Sequence, residues 1–534
     1  MHTSQALQLI RELHEHFPAN SDYHADLLVT ATEADFRLPA EERISKLQNC
    51  LSELKRLSEQ HPNRTDYFGL VCRFQSLLGN LFANIDQLDQ AEASFQESLR
   101  AMDAFANRFP EVTREEDMAT EYMKVGSLSL QLGKYQAALD TQETAVEYFR
   151  SLADSQPANP FFTSKLSSNL KRLGMVHSRL GNLSAAAACY QESLTLAKQL
   201  AQAHPDEAEY HGKIVRRQWL QAMLMLEQQD FVAAADVFFE LQQSVAILSG
   251  RFPDYSEPTL TALEVDAWMV NAIVQPPSPK WDQAASILLQ RWQIVQQKQD
   301  SASEILVLMR ISDLYVETDD LDAANEYLDQ AWQVIRSLSA TQRSAAQRSA
   351  AQSNSSENNA SESNAELRIR LAEMQWMLAR RLAWIGRTAE SAKLSNELLA
   401  AASDPKLLSA TVNGLAAYPL ANPAQLQQVE QILAHTLEKQ PQLNAFGLMG
   451  ATLVRLNQPD KAISMLESAL SKPEGRTAVH LYYAAMCSKL LERHDQAEQW
   501  LAEADRKAIF HDPLRRLEII RLQQQAHLKP AAVE

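Results

Sequence analysis

The chain has 534 residues, 46% of them hydrophobic and 7% aromatic, so it is far longer than a single hydrophobic core requires. Its 67 acidic and 50 basic residues give a formal net charge of −17. A field of that sign repels phosphate backbones and anionic lipids, so we expect neither nucleic acid nor a membrane surface among the partners. Only 13 glycines are present, and the abundance of Ala, Leu, Gln and Glu favours helix throughout.

The cysteines and the first residues indicate a reducing compartment. The four cysteines, Cys50, Cys72, Cys189 and Cys487, are widely scattered and form no CxxC pair. This pattern fits neither a disulfide framework nor a zinc site, and we expect small buried thiols. Residues 1–18 read as an amphipathic helix with charges throughout and no apolar h-region. We therefore expect a cytoplasmic protein with no metal and no cofactor.

A repeat is marked first by proline. Successive boundary prolines are separated by 48, 47, 48 and 48 residues: Pro62, Pro110, Pro157, Pro205 and Pro253. Proline lacks a backbone donor and disfavours helix in the residue before it, so each boundary predicts the end of a helix. Internal repetition of this length is typical of stacked helical arrays.

Small residues twelve positions apart mark the inside of each unit. The regular pairs are Gly79 with Ala91, Gly126 with Ala138, Gly174 with Ala186, and Ala222 with Ala234. A turn residue stands between the members of each pair, namely Asp86, Gly133, Gly181 and Gln229. Small residues let two helix backbones approach closely, and a turn glycine supplies the positive φ that ends the first helix. The pattern predicts an antiparallel helix pair in every unit.

The residues four positions after these alanines lie one helical turn further along the same face. They are Phe95, Gln142, Tyr190 and Phe238, and we expect the larger ones to fill the gap towards the next unit.

Further units extend the pattern over nearly the whole chain. A weaker unit with Ala31 and Arg43 comes first, and the later ones carry Ala272 with Ala284, Ser312 with Ala324, a segment at 374–399, Ala417 with Val429, Gly450 with Ala462, and Ala485 with Ala497. These units resemble tetratricopeptide repeats lengthened from 34 to about 48 residues. The resemblance implies an all-α fold, a right-handed α-solenoid of antiparallel helix pairs with ten or eleven repeats.

One low-complexity tract interrupts the pattern. Residues 339–366 are rich in Ser, Ala, Asn and Gln and contain a duplicated QRSAA. Such a tract cannot bury enough apolar surface to offset chain entropy, which predicts a disordered linker. It would separate an N-terminal array at 1–338 from a C-terminal array at 367–534.

The resemblance also implies a binding surface, because the first helix of each tetratricopeptide repeat lines a concave groove. The corresponding positions are Arg73, Ser76, Asn80, Asn84, Thr120, Ser127, Gln131, Ser168, Lys171, Arg179, Arg216 and Trp219. This set is polar and locally basic within an acidic protein. We expect it to bind protein partners, as extended or acidic peptides or as helices, although the same residues could simply be solvated helix positions.

No catalytic motif is found. The sequence has no GxxxxGK or GxGxxG loop, no GxSxG elbow and no HExxH spacing, and its 13 histidines are scattered. We therefore expect a non-catalytic protein-interaction scaffold with no catalytic residue.

The C-terminal units also resemble the closing arrays of large planctomycete-type bacterial proteins, which often carry a serine/threonine kinase ahead of similar repeats. This chain lacks the glycine-rich loop, HRD and DFG of a kinase. The alternative is thus a regulatory or docking region of a kinase system, acting on a kinase in cis or in trans.

Overall fold

The computed structural model describes residues 39–111, 115–255, 261–275, 279–351, 358–401, 408–416, 418–439, 443–512 and 516–528. Within these ranges every long element is an α-helix and no strand is present. The predicted all-α fold is confirmed. The contacts divide the chain into two compact units, Met1–Gln228 with Ala246–Thr259 and Gln229–Val245 with Leu260–Glu534.

The first unit contains eight described helices that follow one another closely along the chain. They are α1 Ala40–Gln60, α2 Thr65–Asn84, α3 Leu88–Arg108, α4 Glu115–Gln131, α5 Tyr135–Ser155, α6 Pro160–Arg179, α7 Leu183–Ala203 and α8 Ala208–Glu227. The next helix, α9 (Phe231–Arg251), belongs partly to each unit. This helix is long and apolar enough to span a membrane by composition, which is weak evidence because core helices of soluble proteins pass the same test.

The second unit continues in the same manner. Its helices are α10 Ala262–Ile273, α11 Trp281–Gln297, α12 Ser301–Glu317, α13 Leu321–Ala351, α14 Asn358–Trp384, α15 Thr388–Ala401, α16 Leu408–Ala416, α17 Pro423–Lys439, α18 Leu443–Arg455, α19 Pro459–Leu470, α20 Ala478–Leu490, α21 His494–Ala508 and α22 Arg516–His527. A short 3-10 turn, Pro473–Gly475, precedes α20.

Consecutive helices pack as pairs, as a solenoid of stacked hairpins requires. In the first unit α2 packs against α3, α4 against α5 and α6 against α7, and each pair contacts the next. In the second unit the same holds for α12 with α13, α18 with α19 and α20 with α21. We call α2, α4, α6, α8, α10, α12, α14, α16, α18 and α20 the first helices. Each unit is thus a helical solenoid in which the contacts are mainly between neighbours.

The predicted turn residues end the first helices in a left-handed conformation. The φ angles are 60° at Asp86, 74° at Gly133, 78° at Gly181 and 60° at Gln229. After Gly133, the amide of Lys134 donates a 2.8 Å hydrogen bond to the Ser129 carbonyl, five residues earlier. This bond is that of a Schellman turn, which satisfies carbonyls at the end of a helix. The turn prediction is confirmed.

The small residues of each pair lie where the two helices approach most closely. Ala91, Ala138 and Ala186 are all 0% exposed. Similar packing recurs in the second unit, where Ser312 Oγ on α12 donates a 2.9 Å hydrogen bond to the carbonyl of Ala324 on α13, twelve residues later. Ala31 and Ala417 lie outside the described residues.

The large residues four positions after the alanines pack towards the next unit, as expected. Phe95 clusters with Val125 and Leu128 on α4, Tyr190 clusters with Leu224 on α8, and the Phe238 ring lies 6.4 Å from the Trp268 ring on α10.

Phe95 and Tyr190 also pack against the glycine of their own helix pair. A Cβ on Gly79 would lie 2.8 Å from the Phe95 ring, and one on Gly174 would lie 2.5 Å from the Tyr190 ring. The missing side chain of each glycine leaves a recess, and the aromatic ring fills it.

The tract at 339–366 lies between two long helices. Helix α13 continues to Ala351 and α14 begins at Asn358, while residues 352–357 lie outside the described residues. Ala, Gln and Arg form helix readily, so the backbone can stay helical without burying apolar surface. Residues on both sides, including Ile335 and Trp376, belong to one hydrophobic cluster. The contacts therefore place both sides of this tract within the second unit.

The recess at Gly174 gives a direct test of the helix-pair geometry. We expect Gly174→Leu to lower the free energy of unfolding by about 1–3 kcal/mol or more, because the side chain would overlap the Tyr190 ring. Gly69→Leu is the matched control, since a Cβ on Gly69 meets nothing within 4 Å. Chemical denaturation of both variants measures the difference, and equal stabilities would contradict the assigned packing.

Candidate protein-interaction surface

The twelve predicted groove residues all lie on the first helices α2, α4, α6 and α8, but their exposure differs. The exposed ones are Arg73, Asn80, Asn84, Gln131 and Arg179, and the half-buried ones are Thr120, Ser127, Ser168, Lys171, Arg216 and Trp219. An extended partner that lay across these helices would meet side chains from four successive repeats.

Ser76 departs from the prediction, since it was expected to be exposed and is only 6% exposed. The Lys124 ammonium on the neighbouring first helix donates a 2.6 Å hydrogen bond to its hydroxyl. Lys124 also forms a 3.2 Å ion pair with Glu121, which holds it over the serine. The Ser76 hydroxyl therefore joins two neighbouring first helices through Lys124 and does not belong to the candidate surface.

Four cations from two successive first helices form the most unusual feature of the surface. Lys171 and Arg172 lie on α6, and Arg216 and Arg217 lie on α8. We call these four residues the cation cluster. Burial, and after it the positive charges of Arg172, Arg217 and Arg216, lower the pKa of Lys171 to about 8. The side chains are therefore close enough to repel one another in a partly desolvated place.

No carboxylate compensates this repulsion at Lys171. In the described part of the chain its ammonium has neither a hydrogen bond nor an ion pair, and every influence on its pKa is a lowering one. Glu209, which does act on Arg217, is bound 2.5 Å from Lys213 instead. Arg172 donates only a long 3.4 Å hydrogen bond, to the Ser168 carbonyl.

Arg217 is the buried member of the cation cluster. It is 2% exposed, and its guanidinium donates to neutral oxygens, at 3.1 Å to the Ser193 hydroxyl and at 3.3 Å to the Lys213 carbonyl. Burial followed by Arg216 and Arg172 lowers its pKa to about 9. A buried guanidinium whose hydrogen bonds are satisfied by neutral groups keeps its positive charge uncancelled, so it contributes to the potential above α6 and α8.

Sequence reasoning found Lys171 and Arg216 but missed Arg172 and Arg217. The family's groove positions skip both, because each stands one residue beyond a predicted position. The signal was the recurrence of two adjacent cations, Lys-Arg and then Arg-Arg, on successive first helices.

Burial disfavours the thiolate form of Cys72, Cys189 and Cys487. The four cysteines are free, and burial raises the pKa of Cys72 to about 12 and those of Cys189 and Cys487 to about 11. Cys50, Cys72 and Cys487 are buried, as the sequence predicted, and Cys189 is half-buried. Among the described residues, no three His, Cys, Asp or Glu side chains come together to hold a metal.

Comparison with known proteins identifies the repeat. The family model described as "Tetratricopeptide repeat" matches residues 172–200, which covers the end of α6 and most of α7. No curated protein sequence matches the chain.

Several solved structures show low similarity to this chain. The crystal structure of BtubC from P. vanneervenii is 13% identical over 57% of this chain and 93% of that chain, with a TM-score of 0.31. A signal-transduction ATPase with a tetratricopeptide repeat sensor from Pyrococcus horikoshii is 13% identical over 61% of this chain and 43% of that chain, with a TM-score of 0.38. MamA from Desulfovibrio magneticus RS-1 is 16% identical over 41% of this chain and 94% of that chain, with a TM-score of 0.25.

The helix pair that matches the family model has the turn and the small-residue packing that recur along the rest of the chain. The protein is therefore a helical repeat protein, and residues 172–200 match the tetratricopeptide repeat.

The depressed pKa of Lys171 predicts how stability depends on pH. Between about pH 8 and its ordinary pKa of 10.5, the unfolded chain holds the Lys171 proton and the folded one does not, so stability rises with pH in that window. Lys171→Met should raise the free energy of unfolding at pH 7 and remove this part of the rise. Urea denaturation at pH 7, 8, 9 and 10 measures both effects.

The control for this variant is Lys461→Met, at an exposed position on α19. It should change the free energy of unfolding by no more than about 0.5 kcal/mol at each pH. The interpretation of the cluster fails if Lys171→Met is less stable than the wild type at pH 7.

Proposed function

We propose that the protein is a non-catalytic, cytoplasmic scaffold that binds acidic segments of partner proteins across the first helices α2, α4, α6 and α8. The observation that carries this proposal is the cation cluster. Lys171 is desolvated beside three guanidinium groups and has no anion of its own among the described residues. A perturbed cation without a structural partner is characteristic of a binding site.

The energetics favour an anionic ligand at this place. Holding like charges together in a partly desolvated site costs free energy, and a carboxylate brought between them would remove the repulsion and form charge-assisted hydrogen bonds. Tetratricopeptide arrays offer such sites in series, so a peptide with several acidic residues could also use the exposed amides of Asn80, Asn84 and Gln131.

The net charge of −17 acts against an acidic ligand, and the balance depends on distance. At physiological ionic strength exposed charges are screened beyond about 8 Å, so the repulsion by distant carboxylates is weak. The attraction of the cation cluster acts at contact and is partly desolvated, so it is screened much less. Local attraction therefore outweighs the overall charge.

The test reverses the charge of three surface cations, in the variant Lys171→Glu/Arg179→Glu/Arg216→Glu. The probe is a fluorescent peptide of alternating Glu and Ala, and its binding is followed by fluorescence anisotropy at 50 and 150 mM salt. We expect the variant to lose at least about tenfold in affinity, which corresponds to about 1.4 kcal/mol, while its helical circular dichroism is retained. Capture from a cell lysate with the same variant should lose the partners that the wild type retains.

The matched control changes the same net charge elsewhere, in Lys461→Glu/Lys472→Glu/Arg506→Glu, where all three residues are exposed. It should bind the probe nearly as the wild type does. Equal loss in both variants would mean that net charge alone governs binding. Unchanged binding in the first variant would reject the proposed surface.

The alternative role, as a regulatory or docking region for a serine/threonine kinase, rests on the resemblance of the C-terminal repeats. It predicts that a protein kinase is among the captured partners. If no protein kinase is found among the partners that bind through the cation cluster, the general scaffold remains the proposed function.

A further inference from the structure

The last helix of the second unit does not continue the stack in the ordinary way. In the first unit, the helix that follows a pair packs mainly on the second helix before it, as α6 does on α5. Helix α22 instead contacts α20 more extensively than α21, and it reaches back to α12. It thus lies against first helices from repeats that are distant in the sequence.

The start of α22 is held by polar contacts to two of these helices. The Arg516 guanidinium donates from Nε to Glu317 on α12, with distances of 3.1 Å and 2.9 Å to the two carboxylate oxygens. The same guanidinium also donates to the Asn271 side-chain oxygen on α10. Asn271 in turn donates a 3.3 Å hydrogen bond to the carbonyl of Ile509, just after α21.

A second ion pair holds the other side of the first turn. Glu518 lies 2.6 Å from the Arg380 guanidinium on α14. At the far end of the helix, the Lys489 ammonium on α20 donates a 2.6 Å hydrogen bond to the Ala526 carbonyl. Lys489 therefore caps the C-terminus of α22, where the helix dipole is negative.

The surface beneath α22 is charged and buried. Glu317 and Arg380 have side chains that are 8% and 5% exposed. Behind them, Arg381 forms a bidentate pair with Asp313 at 2.8 Å and 2.6 Å, and Arg310 lies 3.4 Å from Glu317. The charges of Arg516 and Glu518 are thus opposite to those of Glu317 and Arg380. This complementarity makes the packing of α22 on these helices specific.

The apolar side chains of α22 cover only part of the apolar surface on which the helix packs. Leu517, Ile519 and Ala526 are buried, but a partly open cavity of about 230 Å³ remains beside the helix. Its walls include Leu448, Tyr483, Met486, Leu522 and Arg521. The Nε of Arg521 is buried there without a hydrogen-bond partner among the described residues. Helix α22 therefore occupies this surface without filling it.

We propose that the first helices of the second unit form a helix-binding site, that α22 is its intramolecular occupant, and that its partner is a helical segment of another protein. The partner helix begins with the chemistry of Arg516 to Ile519, which is a cation, an apolar residue, a carboxylate and an apolar residue. Glu317 and Asn271 receive its cation, and Arg380 receives its carboxylate. The inference rests on the proposed function in so far as both concern binding of protein segments. It concerns a different unit and a different ligand.

The occupied site has a regulatory consequence. A segment tethered to its own site is present at a high effective concentration, so a free helix of equal fit does not displace it. A partner must fit better, and the unfilled cavity beside Leu448 and Tyr483 provides the means, because a longer apolar side chain could bury there. Weak ligands therefore do not displace α22 from the site, whereas a partner that fills the cavity does.

The test uses the full-length chain and a fluorescent peptide with the sequence of residues 512–528. In the wild type we expect little peptide binding and slow amide hydrogen exchange in α22. Arg516→Glu places a carboxylate against Glu317, so exchange in α22 should accelerate and the peptide should bind at least tenfold more tightly than to the wild type. In Arg516→Glu/Glu317→Arg the ion pair is restored with reversed sign, so slow exchange should return and the peptide should again bind weakly.

Arg506→Glu, at an exposed position on α21, is the control and should behave as the wild type does. Arg516→Gln, which removes the charge without repulsion, should give an intermediate result. The proposal is overturned if exchange in α22 accelerates without a gain in peptide binding, because α22 is then a structural cap. It is also overturned if both Arg516 variants lose helical circular dichroism well beyond the length of α22, or if neither changes exchange.

The two proposals fail independently. Binding of the acidic Glu-Ala peptide should be the same in Arg516→Glu as in the wild type. Binding of the 512–528 peptide to Arg516→Glu should be unaffected when Lys171, Arg179 and Arg216 are also reversed.

Discussion

The close approach of two helices at small residues twelve positions apart determines the rest of this structure. Where Gly79 or Gly174 lacks a side chain, a ring from the second helix fills the recess, and the alanine that follows is fully buried. The left-handed turn between them returns the chain within a few residues, so every hairpin has nearly the same form. In each unit, repetition of one hairpin produces an array whose core is made between neighbours. The proposed function depends on the side chains that the first helices carry.

The two units carry charge in different ways. In the first unit the cation cluster contains repulsion that no described carboxylate relieves at Lys171, which is expected of a site that awaits an anion. In the second unit several charges of the first helices are paired within the chain, as Asp313 is with Arg381 and Glu317 is with Arg516. Breaking a buried pair leaves an uncompensated charge, so such pairs fix which helix can dock there more than they add stability. In the proposed function the first of these surfaces binds an acidic segment, whereas the second is occupied by α22.

Much of the fold could be predicted from the sequence because it follows from local rules. The interval of twelve, the turn residues and the boundary prolines each have a direct steric cause, and the left-handed φ at Asp86 and Gln229 shows that the register holds even without glycine. The packing of Phe95 and Tyr190 towards the next unit was predicted, but their contact with the glycine of their own helix pair was not, since spacing along one helix does not give every neighbour that a side chain meets. The contacts of α22 were not predicted at all. They join residues about two hundred positions apart, and no periodicity encodes such a pairing.

The candidate site was predictable in part. Family positions located Lys171 and Arg216 on successive first helices, but they could not show that Ser76 is covered by Lys124 or that Arg217 lies beneath the surface. These facts depend on side-chain burial, which the sequence pattern gives only as an average over each helix face. The central claim, that the cation cluster is a vacant anion site, is tested most directly by nuclear magnetic resonance of the lysine ε-methylene groups, with Lys171 assigned by substitution. The account predicts a pKa of about 8 for Lys171 in the free protein and a clear rise on saturation with an acidic peptide. A pKa that stays the same when the peptide is bound would contradict it.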